Sequence, residues 1–228
     1  VSRCIADVLR AYGVPEERIA VVYSAQDPAR LDMPATPRQD LSIPEDAPLF
    51  FCAAALVGHK DHATLLDAFA LVQRDLPAAR LLLAGTGPLE GRLREQAKRL
   101  GLGEELRFLG YRRDVPGLIR AADVFVLSSK MEGLGSAILE AMWIERPVVA
   151  CAGGGIPEMV RHEMTGLLAP VGDSKALAEN MTRMATDPAL AEACIKNARN
   201  LVEERHSVDA MTQETLQIYG EAAGEECA

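Results

Sequence analysis

The chain has no long apolar run, no excess of positive charge and no closely spaced cysteines, and each lack excludes something. No apolar stretch approaches the length that crosses a bilayer, and no basic-then-apolar leader opens the chain, so a soluble protein is expected. Its 24 Lys and Arg against 33 Asp and Glu give a formal charge of −9, which argues against a grip on the phosphate backbone of nucleic acid. Cys4, Cys52, Cys151, Cys194 and Cys227 are odd in number and scattered, so neither a disulfide framework nor a zinc site is indicated and a reducing cytoplasm suits them. His59 and His62 lie three apart without a third ligand at suitable spacing, and no Asp-x-Asp acidic metal motif occurs.

What is present is enough for a substantial core: 228 residues, 49% of them hydrophobic. Short apolar runs alternate with longer amphipathic ones, the pattern of parallel strands joined by crossover helices. Strands are predicted over Phe50 to Ala54, Arg80 to Ala84, Leu106 to Leu109, Val124 to Leu127 and Val148 to Cys151. Helices are predicted over Ala63 to Arg74, Leu89 to Leu100, Val115 to Ala121 and Ser136 to Trp143, with three more at Ser174 to Met184, Ala189 to Glu203 and Val208 to Tyr219. The fold class is therefore α/β, a Rossmann-like doubly wound parallel sheet, whose ligands bind beyond the carboxyl ends of the strands. The opening stretch differs: Ser2 to Tyr12 reads as a helix, Ile19 to Tyr23 as an isolated strand, and Asp27 to Asp46, rich in proline and charge, as a linker.

One segment combines several uncommon requirements. The strand Val124 to Leu127 runs through a polar loop into Glu132-Gly133-Leu134-Gly135-Ser136 and then a helix containing Glu140. Such a turn aims free backbone N–H groups and the positive end of a helix dipole at whatever lies above it, a setting suited to a diphosphate. Glu132 and Glu140 can then bracket the anion and accept hydrogen bonds from hydroxyls on either side. Standing alone, the same residues read more simply as a surface loop acid, a solvated helix acid and two turn glycines. Gly85-Thr86-Gly87 with Gly91 misses the Gly-x-Gly-x-x-Gly spacing of a nicotinamide site by one residue, and Ser136 lacks the Gly-x-Ser-x-Gly setting of a hydrolase nucleophile.

The ordered set of neighbours weighs on the choice. Gly85-Thr86-Gly87-Pro88, Arg107-Phe108-Leu109-Gly110-Tyr111, Ala122 to Ser129, the Glu-x7-Glu pair Glu132 and Glu140, Arg146-Pro147-Val148-Val149-Ala150, Gly154-Gly155-Ile156-Pro157-Glu158 and Gly166-Leu167-Leu168 follow one another along nearly the whole chain. Together they resemble the C-terminal, nucleotide-sugar-binding domain of retaining GT-B glycosyltransferases of the group 1 family, also called family 4. The resemblance implies transfer of a sugar from a nucleotide diphosphate sugar (UDP-, GDP- or ADP-linked) to an acceptor hydroxyl on a glycan, lipid-linked or small molecule, with no cofactor and no metal.

Residue by residue, it implies Lys60 as the phosphate-binding lysine and Glu132 as the contact to the donor sugar. Gly133, Leu134, Gly135 and Ser136 would offer N–H groups to the diphosphate, Glu140 would hold the ribose, Gly110 and Tyr111 would line the base, and Gly154 and Gly155 would stand at the margin of the site. It further implies that residues 1–46 are the tail of an N-terminal acceptor domain plus its hinge, 47–205 the nucleotide-sugar domain, and 206–228 a C-terminal helix and tail. The chain would then be cytoplasmic, with membrane association only through the missing domain. Two positions depart from the pattern: Ala54 and Ala55 stand where a Gly-Arg pair is usual, and Ser24-Ala25-Gln26-Asp27 replaces Asn-Gly-Val-Asp. Three alternatives stay open: a nucleotide-binding module without turnover, an NAD-dependent oxidoreductase, and residues 1–46 as mere additions to a single domain.

Overall fold

A computed structural model describes residues 1–223; Cys227 and the end of the expected C-terminal tail lie outside the described residues. Six parallel strands form one sheet in the order β3-β2-β1-β4-β5-β6: β1 (Leu49–Ala53), β2 (Arg80–Ala84), β3 (Leu106–Gly110), β4 (Val124–Leu127), β5 (Val148–Cys151) and β6 (Leu167–Ala169). The four central strands are apolar almost throughout because helices cover both faces, so no face alternates with water. Phe51 and Phe125 meet edge to face across β1 and β4, and neither exposes any surface. Truncating Phe125 to Ala removes a fully buried ring and costs roughly 3–5 kcal/mol.

The crossovers are helices α2 (His62–Asp75), α3 (Glu90–Arg99), α4 (Val115–Ala121) and α5 (Ser136–Trp143), followed by α6 (Ser174–Thr186), α7 (Pro188–Arg205) and α8 (Val208–Ala223), with α1 (Arg3–Ala11) ahead of them all. α2 packs on α3 and α6, and α5 on α4 and α7. From β1 the chain winds one way to β2 and β3, and from β4 it winds the other way to β5 and β6. The gap between the carboxyl ends of β1 and β4 is thus the switch point, where crossover loops part and leave a crevice.

Three details differ from the sequence reading. Ile19 to Tyr23 joins no strand of the sheet; it lies instead against the start of the chain and the end of α7, with the Tyr23 hydroxyl on Glu158 and its ring edge-on to His206. β6, too short to stand out as a run, pairs with β5 through Val149 and Leu167. The expected linker is not loose: Leu31, Leu41 and Ile43 are buried in the core, and Arg38 donates to the carbonyls of Glu45, Ala47 and Ala121 and to Asp123. Cys4, Cys52, Cys151 and Cys194 are free thiols.

Candidate functional site

The loops leaving β1 and β4 are tied together at the switch point. Ser128 Oγ donates to the carbonyls of Lys60 and Asp61, each at 3.0 Å, and the Lys130 N–H donates to the carbonyl of His59 at 2.8 Å. Asp61 takes the left-handed conformation (φ 49°) that a short polar side chain tolerates, with Thr64 Oγ donating to its carboxylate at 2.7 Å. These bonds bring Lys60 against the β4 loop. Lys60 Nζ lies 2.5 Å from Glu132 Oε1, which also accepts from Ser129 Oγ at 2.6 Å. Both members of the ion pair are largely shielded from solvent.

After Glu132 the backbone turns through Gly135 at φ 101°, which an L side chain rarely adopts, and α5 begins. No side chain caps α5. Among the described residues, the N–H groups of Leu134, Gly135, Ser136 and Ala137 find no hydrogen-bond acceptor. A helix start with its first donors free is an anion site by geometry and by dipole. Ala137 and Glu140, one helical turn apart, face a cavity of about 490 Å³ that is also bounded by the ends of β1 and β2 and by Tyr111. The Glu140 carboxyl has no hydrogen-bond partner among the described residues, and burial pushes it above the usual carboxylate range.

The structure therefore separates the expected residues into linked groups. Glu140 and Tyr111 wall the cavity, with Gly110 (φ 66°) immediately behind Tyr111. Gly133, Leu134, Gly135 and Ser136 form the turn at its edge, and Lys60 and Glu132 are paired beside that turn. Gly154 and Gly155 lie against the backbone of this loop: a Cβ on either would come within 2.2 Å of the carbonyl oxygen of Glu132 or Gly133, respectively. Ala55 leaves the β1 side of the cavity without a cation, and Arg112 is engaged with Asp114.

Three residues given no site role in the sequence reading also matter. Gln26 and Arg30 border the cavity, and Ser129 orients Glu132. Ser129 was within reach as a hydroxyl at a strand's carboxyl end; nothing in the sequence marks an arginine in a proline-rich connector. Among the described residues there is no grouping of three or more His, Cys, Asp or Glu able to hold a metal ion, and no helix long and apolar enough to cross a membrane.

Known proteins are similar to this chain in sequence and fold. The chain is 30% identical over 186 residues to the lipopolysaccharide core biosynthesis glycosyltransferase LpsD of Rhizobium meliloti, covering 82% of the chain and 53% of LpsD. It is 34% identical over 199 residues to the D-inositol 3-phosphate glycosyltransferase of Saccharomonospora viridis, covering 82% and 46%. The crystal structure of Anabaena Alr3699/HepE in complex with UDP and glucose superposes with a TM-score of 0.88 at 27% identity, covering 96% of this chain and 62% of that one. The chain thus spans about half the length of the curated relatives it matches. The family model described as "Glycosyl transferases group 1" matches residues 35–201, and the chain belongs to that family.

Proposed function

We propose that this chain is the donor-binding half of a retaining GT-B glycosyltransferase of family 4, which transfers a sugar from a nucleotide diphosphate sugar to an acceptor hydroxyl. The observation that carries the reading is the run of unpaired N–H groups from Leu134 to Ala137, beside a cavity walled by Glu140. As the bond from the anomeric carbon to the diphosphate oxygen breaks, negative charge grows on the leaving group. Fixed N–H dipoles and the Lys60 ammonium then stabilise the transition state more than the ground state. Glu140 accepts from the ribose hydroxyls, Glu132 faces the donor sugar, and Tyr111 and the backbone at Gly110 line the base. The likeness to a neighbour crystallised with UDP and with UDP-glucose supports a nucleotide sugar as the ligand.

The acceptor would be a glycan, a lipid-linked or a small molecule, bound by a preceding domain on the cytoplasmic side. The chain by itself would bind nucleotide without turnover. A thermal-shift panel of UDP, GDP, ADP and NAD tests this, since a ligand held by the native state raises the melting temperature. Stabilisation by UDP, GDP or ADP is the expected outcome; stabilisation by NAD alone would defeat the transferase reading.

A further inference from the structure

The outer side of the Glu132–Gly135 loop is held by groups that the donor-site reading leaves unused. The N–H of Gly155 donates to the carbonyl of Glu132 at 2.9 Å, and Ser2 Oγ donates to the carbonyl of Gly133. A trans peptide sets its C=O and the following N–H antiparallel in one plane. Tying the Glu132 carbonyl therefore turns the Gly133 N–H to the opposite side of the chain. Tying the Gly133 carbonyl does the same for the Leu134 N–H, one of the free donors.

Ser2 is itself fixed. It is 1% exposed and caps α1, accepting from the Ile5 N–H at 3.3 Å. The first two N–H groups of that helix, on Arg3 and Cys4, donate to the two oxygens of Glu158 at 2.9 Å each, and the Tyr23 hydroxyl adds a third bond at 2.8 Å. The side chains of Val1 and Ile5 close over Gly133, within 3.5–3.7 Å of where its Cβ would stand.

We infer that the first turn of α1 is a clamp on the diphosphate-binding loop, in which Ser2 and Glu158 are positioning residues that keep the Leu134 N–H aimed at the nucleotide. The inference rests on the donor-site reading above and adds to it a coupling between nucleotide binding and the docking of α1. Burial works against ionisation of Glu158, yet the N–H groups of Cys4 and Arg3 and the Tyr23 hydroxyl together hold its carboxyl below the usual carboxylate range, so the clamp is set at neutral pH. Linkage makes the coupling reciprocal: a nucleotide that prefers the ordered loop must also strengthen α1 docking.

The test uses the chain as it stands, with UDP and GDP measured by calorimetry and the matching nucleosides by saturation-transfer NMR. Ser2→Ala should weaken the diphosphates about tenfold and leave the nucleosides unchanged, and Ser2→Thr, which keeps the hydroxyl, should restore binding. In the wild type, the diphosphate should slow hydrogen exchange at the Arg3 and Cys4 amides, and Glu158→Ala should abolish that slowing while the amides of the central strands stay protected. Equal diphosphate affinity in Ser2→Ala together with α1 exchange indifferent to nucleotide overturns the clamp while leaving the donor site standing. A wild-type chain that binds neither diphosphate overturns the donor-site reading, and the coupling with it.

Discussion

Lys60 Nζ and Glu132 Oε1 stand 2.5 Å apart, so the ammonium proposed to meet a diphosphate is paired in advance with the carboxylate proposed to face the sugar. The pair forms because β1 and β4 are neighbours in the sheet while their loops are far apart in sequence. Removing one member leaves the other shielded from water without its counter-charge, which costs more than the pair itself contributes.

Opposite effects on nucleotide affinity are expected from the two halves of this pair. Lys60→Ala removes the cation and should weaken a nucleoside diphosphate about tenfold. Glu132→Gln keeps the Ser129 bond but frees the ammonium, and should tighten the same ligand about threefold. Calorimetry with UDP reads both, and a loss of affinity in Glu132→Gln would show that Lys60 does not reach the phosphates.

Glu140 sets a pH dependence of binding. Burial raises the pKa of its carboxyl, so it remains protonated at a pH where exposed carboxylates have ionised. The ionised form is the better acceptor for ribose hydroxyls, so affinity should climb as pH rises through this elevated range. Glu140→Gln should flatten the climb and weaken binding by roughly 1–3 kcal/mol. A titration of the wild type that is flat from the ordinary carboxylate range to neutrality would remove Glu140 from the ribose.

The missing cation at Ala55 directs attention to Arg30. Arg112 is held by Asp114, but Arg30 borders the cavity and makes no ion pair among the described residues. Its carrier, the short turn Pro28–Leu31, packs on α5 through buried Leu31. Arg30→Ala should lower UDP affinity about threefold, less than a buried partner would, and should reduce the salt dependence of binding. Unchanged affinity at low ionic strength would remove Arg30 from the site and leave Lys60 and Arg113, which also borders the cavity, as the remaining candidate cations.

How much of this was legible depended on whether a feature is local. The four central strands announce themselves as continuous apolar runs because both faces are covered, and α5 follows from two glycines ahead of a helical pattern. β6 carries only three residues and is defined by its partner β5, so nothing in Leu167–Ala169 alone identifies it. Ile19 to Tyr23 has the composition of a strand, but it packs against Glu158 and His206 rather than beside a sheet edge, which composition does not reveal. Glu140 and Tyr111 could be named from motifs, whereas Ser2 reaching Gly133 across 131 positions, and Arg30 reaching the cavity, are products of packing.

His62 makes the last prediction, on stability. It sits buried at the start of α2 with Nδ1 unpartnered, and burial, aided by Lys60 and opposed by Asp61, lowers its pKa to about 4. An unfolded chain protonates histidine near pH 6.5, so stability is fully present above that value and is lost as pH falls toward 4. A shift of this size amounts to about 3 kcal/mol as an upper bound. His206 is also buried, with a lowered pKa of the same sign, and adds to the loss. Denaturant unfolding between pH 7 and 4 should therefore show a steep decline that His62→Leu reduces without abolishing. An identical slope in the variant would mean that His62 is hydrated in solution and that the acid sensitivity originates elsewhere.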